Sequence, residues 1–472
     1  MFTINGSESG SANCRGLSRR SFLRAGSLGL GGFTFADLLR AEQSVNAGSS
    51  NKAIIHIHLD GGPPQMDLID PKPDAPTSYR SPFAPLPTNV PGLHLTELLP
   101  KVASAADKFV FLRSLVGAEG KHDAFQCQSG YSDKTLPSIG GRPAMGCVVS
   151  KLLGKPHDPA PAFVDLMQGR PLARNSARPG FLGPSHNPFR PDISHLFQRE
   201  LEDGMKIELA KLGAAGHRPS LSISAGLTAG RIDSRLGLLR SLDATRRQID
   251  ATGSMHAMDQ FTQQAYTILT SGKIASALDI EKEHPRTIAH YTPPDASSGL
   301  ATYTSESPKA ALKLLIARRL VEAGVRVVSV SLSDFDTHKS NDKRMRTLGP
   351  IVDHALHALV TDLADRGMLD DVTVLAWGEF GRTPKPNKDG GRDHWPRVAM
   401  GIMAGGGMPS GFALGATDRY AGEATERPLH YQDVIATLYN NLGINPNTTT
   451  VTDPTGRPQY ITELGHPISE LT

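Results

Sequence analysis

Val325-Arg326-Val327-Val328-Ser329-Val330-Ser331-Leu332, running into Asp334-Phe335-Asp336-Thr337-His338, decides the fold class. The run is short, β-branched and nearly all apolar, as befits a strand buried on both faces. Helical stripes bracket it. From Pro308 to Ala323, apolar residues recur at Ala311, Leu312, Leu315, Ile316, Leu320 and Val321, and Gly324 ends the stripe. Leu348, Ile351, Val352, Ala355, Leu356, Leu359, Val360 and Leu363 form the second, ahead of Gly367. Val372-Thr373-Val374-Leu375-Ala376-Trp377 then starts another strand, ending in Gly378-Glu379-Phe380-Gly381-Arg382. Helix, strand, helix, strand predicts a largely parallel sheet flanked by crossover helices, so the fold class is α/β.

The pattern recurs upstream. Ala53-Ile54-Ile55-His56-Ile57-His58-Leu59 stops at Asp60-Gly61-Gly62, the way a central parallel strand delivers an acidic side chain to the carboxyl edge of a sheet. Phe109-Val110-Phe111-Leu112 runs into Arg113-Ser114-Leu115. The blocks at about 50–150 and 308–465 thus read as two halves of one sheet, and residues 48–465 as a single domain with an insertion at about 154–305. Gly154 to Gln198 is rich in Pro, Arg and Asn, an ordered irregular stretch. Leu221 to Ser276 reads as helical and polar, with Ile232, Leu236, Leu239 and Leu242 on one face, and His284 to Ser305 as loop. A lid over a site at the sheet edge fits the position of this insertion, and the sequence leaves open whether it covers it.

Composition excludes several classes. With 39% hydrophobic and 21% charged residues over 472 positions, the chain is neither disordered nor membrane-embedded. A net charge of +3 offers no basic stripe, so nucleic acid is not an expected partner. The three cysteines, Cys14, Cys127 and Cys147, cannot staple a disulfide scaffold and lack zinc-finger spacing.

The first 47 residues read as an export signal, removed or disordered in the mature protein. Ser18-Arg19-Arg20-Ser21-Phe22-Leu23-Arg24 precedes an apolar, Gly-rich run from Ala25 to Phe35, the pattern of a twin-arginine leader. A stable membrane span needs about 20 apolar residues, which this run does not supply. The expectation is a periplasmic or secreted protein that meets the twin-arginine export machinery already folded.

Acidic and histidine residues at strand ends are the sharpest chemical signal. Asp60 closes one strand, Asp334, Asp336 and His338 another, and Glu379 a third, while Asp393-His394 follow in the loop Gly390-Gly391-Arg392-Asp393-His394-Trp395-Pro396. Oxygen and imidazole donors converging on one sheet edge are what one or two divalent metals (Zn, Ca or Mn) require. The expected ligands are Asp60, Asp336, His338, Glu379 and His394, with Asp393 as a sixth. His122, beside Asp123, is a ligand or a general acid, or else belongs to a plain polar loop. Arg382 either binds an anionic substrate in bidentate fashion or pairs with Asp393. Cys127 is a nucleophile or, as favoured here, a small buried packing residue. His56 and His58 read as packed core histidines, and His354 and His357 as a solvated helix face.

The leader, Leu59-Asp60-Gly61-Gly62-Pro63 with Asp67 and Asp70-Pro71-Lys72-Pro73, Pro137-Ser138-Ile139-Gly140-Gly141, Asp336-Thr337-His338, Trp377-Gly378-Glu379-Phe380-Gly381-Arg382-Thr383-Pro384 and Gly391-Arg392-Asp393-His394-Trp395-Pro396 together resemble the bacterial exported family called domain of unknown function 1501. That family is similar in turn to the alkaline phosphatase and sulfatase superfamily. The resemblance implies an alkaline-phosphatase-like core and hydrolysis of phosphate or sulfate esters, conceivably on a polysaccharide. It would place Asp60 at the bridging first-strand aspartate, Asp336 and His338 in one metal site, and His394 at the final histidine. Glu379 stands where the superfamily usually has Asp-His-Gly, and no Cys-x-Pro-Ser-Arg sulfatase signature occurs. The alternative implied by the missing nucleophile is a non-catalytic envelope or carbohydrate-binding protein on a sulfatase-like scaffold.

Overall fold

The computed structural model describes residues 52–132, 134, 137–155, 157–167, 177–191, 193, 265–268, 271–293 and 306–472. The leader and most of the Leu221–Ser276 stretch expected to be helical lie outside the described residues.

One eight-stranded sheet organises the chain: β1 (Ala53–Leu59), β2 (Phe109–Val116), β3 (Phe163–Asp165), β4 (Val327–Leu332), β5 (Val372–Trp377), β6 (Ala399–Gly405), β7 (Phe412–Leu414) and β8 (Leu429–His430). The order is β7-β2-β6-β5-β1-β4-β3, with β8 also paired to β2. All neighbours are parallel except β6, which is antiparallel to both β2 and β5. The fold class is therefore α/β with a mostly parallel sheet, as the strand–helix alternation predicts. The two outer blocks interleave instead of forming halves: β1 sits between β5 and β4, while β2 lies beyond β6. Within the inserted stretch, β3 pairs with β4 and extends the sheet edge.

Helices cover both faces. Side chains on a strand alternate, so Ile55, Ile57 and Leu59 face a core shared with α3 (Ala311–Glu322) and α4 (Asn341–Asp365). Ile54 faces a second core with α1 (Ala124–Ser129), α2 (Met145–Leu153) and α5 (Tyr431–Asn441). Seven residues of α4 precede Leu348, where the apolar stripe begins, and Pro350 sits inside the helix. Among the described residues, no helix is long and apolar enough to cross a membrane.

His354 corrects the solvated-face expectation. The helix Pro100–Ser104 packs across α4, with Asp353 accepting from the Lys101 and Val102 backbone N–H groups at 3.1 and 2.8 Å. His354 is buried there, its Nδ1 2.7 Å from Lys101 Nζ. Burial first, then the Lys101 charge, push its pKa down to about 4. Its folded pKa lies below the unfolded value, so the unfolded chain binds the extra proton and stability falls as pH drops from about 6.5 towards 4. His354→Gln should flatten that part of a denaturation-midpoint profile against pH, and an unchanged slope would contradict this reading.

Candidate metal centre

Because β1 is hydrogen-bonded to both β4 and β5, His58 lies opposite Ser331 on one side and Trp377 on the other. The residues that follow these strands therefore emerge together at the carboxyl edge of the sheet. Gly61 makes the close approach possible. Its φ is +108°, and a Cβ there would lie 2.4 Å from Asp336 N, so no other residue fits without moving the ligand loop. Its N–H donates to Glu379 Oε1 at 3.0 Å, joining the first and third strand ends.

An inner group comprises His58, Asp60 and Glu379, all buried. His58 Nε2 lies 3.5 Å from Glu379 Oε2 and 3.9 Å from Asp60 Oδ1. Burial lowers the His58 pKa and keeps the ring neutral, although the Glu379 charge opposes this. Burial would raise Glu379, but the hydrogen bond from His122 and the His122 charge win, and its pKa is lowered. Both ring nitrogens of His58 and Glu379 Oε2 have no hydrogen-bond partner. Buried polar atoms are rarely left in this state, and a divalent cation would satisfy the facing nitrogen and oxygen together. The sequence reading put His58 in the core; the structure buries it there and also turns it toward Asp60 and Glu379. The available signal was the His58-x-Asp60 spacing, which puts both side chains on one face of a strand at its carboxyl end. His56 does pack as expected, accepting from Trp377 Nε1 at 2.7 Å.

An outer group centres on Asp336. His338 Nε2 lies 3.0 Å and His394 Nε2 3.4 Å from Asp336 Oδ1, and the two ring nitrogens are 3.1 Å apart. Their far sides are held. His394 Nδ1 is 2.9 Å from the Gly120 carbonyl, which can only accept, and His338 Nδ1 is 2.7 Å from Asp393 Oδ1. Both Nε2 atoms therefore converge on Asp336 Oδ1 and on each other. Two imidazoles and a carboxylate at these distances suit a shared cation, with an imidazole-rich set favouring Zn over Ca. The residues present fit a metal.

His122 stands between the groups, its Nδ1 2.9 Å from Glu379 Oε1 and its Nε2 3.1 Å from Asp336 Oδ2. Burial disfavours its cation, but the hydrogen bonds to Asp336 and Glu379 prevail and raise its pKa. Asp336 is held far below the usual carboxylate range: burial opposes this, and bonds to His122, His394 and Arg382 outweigh it.

Three expectations change. Arg382 is fully buried and pairs with Asp336 at 2.7 Å, not with Asp393. It also donates to the carbonyls of Gly61, Gly62 and Arg392, so its guanidinium serves the protein and does not face an incoming anion. Asp393 is half exposed and accepts from His338 and Asn387, so it orients a ligand candidate and lies outside both donor groups. Asp334 leaves the edge altogether, paired with Arg344.

No nucleophile emerges from α1. Asp123 caps it by accepting from Phe125 N at 3.0 Å, and Ser129 Oγ donates to Phe125 O at 2.8 Å. Cys127 is buried, and burial followed by the charges of Glu379, Asp123 and Asp60 pushes its thiol well up, against thiolate chemistry.

Fold and site together define an α/β protein with histidine–carboxylate donor groups at the carboxyl edge of its sheet. The chain belongs to the family described as "Protein of unknown function (DUF1501)", whose model matches residues 51–472. No curated protein matches it. Among solved structures, it is similar to the PsFucS1 sulfatase from Pseudoalteromonas sp. at 12% identity and TM-score 0.38, covering 86% of this chain and 73% of that one. It is also similar to the lipoteichoic acid synthase LtaP from Listeria monocytogenes, at 10% and 0.32 over 86% and 78% of the two chains. A phosphonate monoester hydrolase of Agrobacterium radiobacter shares 14% at TM-score 0.31, over 83% and 74%. At these TM-scores the likenesses carry no functional argument, and the side chains must.

Proposed function

We propose that this protein is an exported, metal-dependent hydrolase of phosphate or sulfate esters. The observation that carries the proposal is the pair His338 and His394, locked by Asp393 and the Gly120 carbonyl so that both Nε2 atoms face Asp336. A divalent metal bound there supplies Lewis acidity and a water that is deprotonated near neutral pH. The chain's own residues set the rest. Asp336, His338 and His394 would hold the outer metal, and His58, Asp60 and Glu379 the inner one. His122 is the imidazole that touches both Glu379 and Asp336, and it is placed to give a proton to a departing ester oxygen. Arg382 keeps Asp336 oriented and ionised. The twin-arginine pattern at Arg19-Arg20 supports export, which would bring the site to polysaccharide esters outside the cytoplasm.

The absence of a usable nucleophile in α1 favours a second reading, a non-catalytic envelope or carbohydrate-binding protein that keeps the metal. Elemental analysis of the mature protein beside Asp60→Ala separates the possibilities. One or two Zn, Mn or Ca ions per chain, reduced in the variant, and turnover of an aryl phosphate or aryl sulfate would support the hydrolase. Stoichiometric metal without turnover across that panel supports the second reading. No metal after incubation with each ion overturns the metal centre itself.

A further inference from the structure

Behind the outer donor group, two loops are tied by a closed ring of four buried residues. Thr337 lies between the donors Asp336 and His338, and its Oγ1 donates to Asn341 Oδ1 at 2.7 Å. Asn341 Nδ2 donates to Asp67 Oδ2 at 2.7 Å, and Arg392 Nε meets the same oxygen at 2.9 Å. The Arg392 backbone N–H then returns to Thr337 O at 2.9 Å, which closes the ring. Asp67, Thr337 and Arg392 are fully buried and Asn341 is 3% exposed. Side branches stiffen it: Ser81 Oγ donates to Asp67 Oδ1 at 2.7 Å, Arg392 Nη2 reaches that oxygen at 3.2 Å, and Arg392 O accepts from Arg382.

From this geometry we infer that the Asp67–Asn341–Thr337–Arg392 ring is the positioning device of the outer metal group. It sets the distance between the loop carrying Asp336 and His338 and the loop carrying Asp393 and His394. This rests on the metal-centre reading above. The donors come from two irregular loops. A short antiparallel pairing, Gly381 with Trp395 and Arg382 with His394, anchors the second loop to the β5 side. Toward Asp336 and His338 that loop is tied by the backbone bridge of Lys339 with Gly390, by Asn387 Nδ2 to His338 O at 3.0 Å, and by the bond from Arg392 to Thr337, the last of which leads into the buried side-chain ring. None of the four ring side chains belongs to either donor group, so each acts through the residue beside it.

The test measures Zn(II) affinity by competition with a chromophoric chelator, together with the visible spectrum of the Co(II)-loaded protein and the melting temperature. Thr337→Val keeps the shape and removes the donor; it should bind Zn(II) about 10–100-fold more weakly and alter the Co(II) bands. Thr337→Ser restores the hydroxyl and should return both to wild-type values. Asn341→Ala opens the same ring from the first residue of a helix, so the prediction stays testable if the valine variant does not fold. Wild-type affinity and spectrum in Thr337→Val or Asn341→Ala, with only a lower melting temperature, would make the ring merely structural and overturn the inference. Failure of the wild-type protein itself to bind Zn(II) or Co(II) would overturn the metal-centre reading and the inference with it, an outcome distinct from the first.

Discussion

Glu306→Ala is expected to cost about 3–5 kcal/mol of folding stability, the scale seen when one partner of a buried ion pair is removed. Lys313 projects from α3, and its Nζ lies 2.8 Å from Glu306 Oε1, with both side chains 1% exposed. The other carboxylate oxygen accepts from Ser333 N at 2.8 Å, at the end of β4, and Lys313 Nζ also donates to Ser331 O at 3.2 Å. Removing the carboxylate would leave an ammonium sealed between helix and sheet without its counter-charge, at the root of the Asp336 loop. Guanidinium denaturation compares Glu306→Ala with Lys313→Met and with the Glu306→Leu/Lys313→Met double variant. The single variants should be strongly destabilised, whereas the double variant should recover most of the loss, because apolar groups of similar volume need no counter-charge. A loss under about 1 kcal/mol for Glu306→Ala would show that water reaches the pair.

The second large effect concerns rate. His394→Ala removes one of two imidazoles aimed at Asp336 and should weaken the outer metal enough to lower kcat/KM for the best ester substrate about 10³-fold. That corresponds to roughly 4 kcal/mol of transition-state stabilisation. His338→Ala should match it within about tenfold, since the two rings are held alike. Asp393→Asn leaves the metal donors in place and disturbs only the acceptor of His338 Nδ1, so its loss should be smaller, about 10–100-fold. Metal affinity should fall as pH falls, because protons compete for the imidazole lone pairs. Steady-state kinetics with metal titration at several pH values reads all of this. Equal losses for His394→Ala and Asp393→Asn would contradict the assigned division between donor and support.

What the sequence revealed, and what it hid, follows from the range of the forces involved. The strand ends at Asp60, Asp336 and Glu379 were legible because an apolar run that stops at a charged residue is a local pattern. His58 was not, since an imidazole inside an apolar strand looks like core until Glu379 arrives at the end of a strand paired 319 positions later. Lys313 and Arg318 look like the wet side of α3, yet both are fully buried. Arg318 has one partner at helical spacing, Glu322, but Glu306, Glu283 and Asp362 lie on other elements, outside any helical window. β6, with the sequence Ala-Met-Gly-Ile-Met-Ala-Gly, lacks the β-branched enrichment that marks strands. Its place between β5 and β2 depends on a close approach that only tertiary packing reveals: a Cβ at Gly401 would lie 3.3 Å from the Cδ1 atoms of both Leu112 and Leu115, so a larger residue would push them aside.

β1 is made first and waits long for a neighbour. Its partners β4 and β5 begin some 270 and 310 residues downstream. At a synthesis rate of about 5–20 residues per second, the strand emerges roughly 15–60 s before its first neighbour. For that time Ala53–Leu59 is an uncovered, charge-free strand of the kind that recruits other chains. The central position that brings Asp60 into the finished site thus leaves its strand uncovered through much of the chain's synthesis. Any condition that slows elongation, or removes the cell's strand-holding chaperones, falls first on this segment, and loss of soluble protein would precede any defect in the mature site.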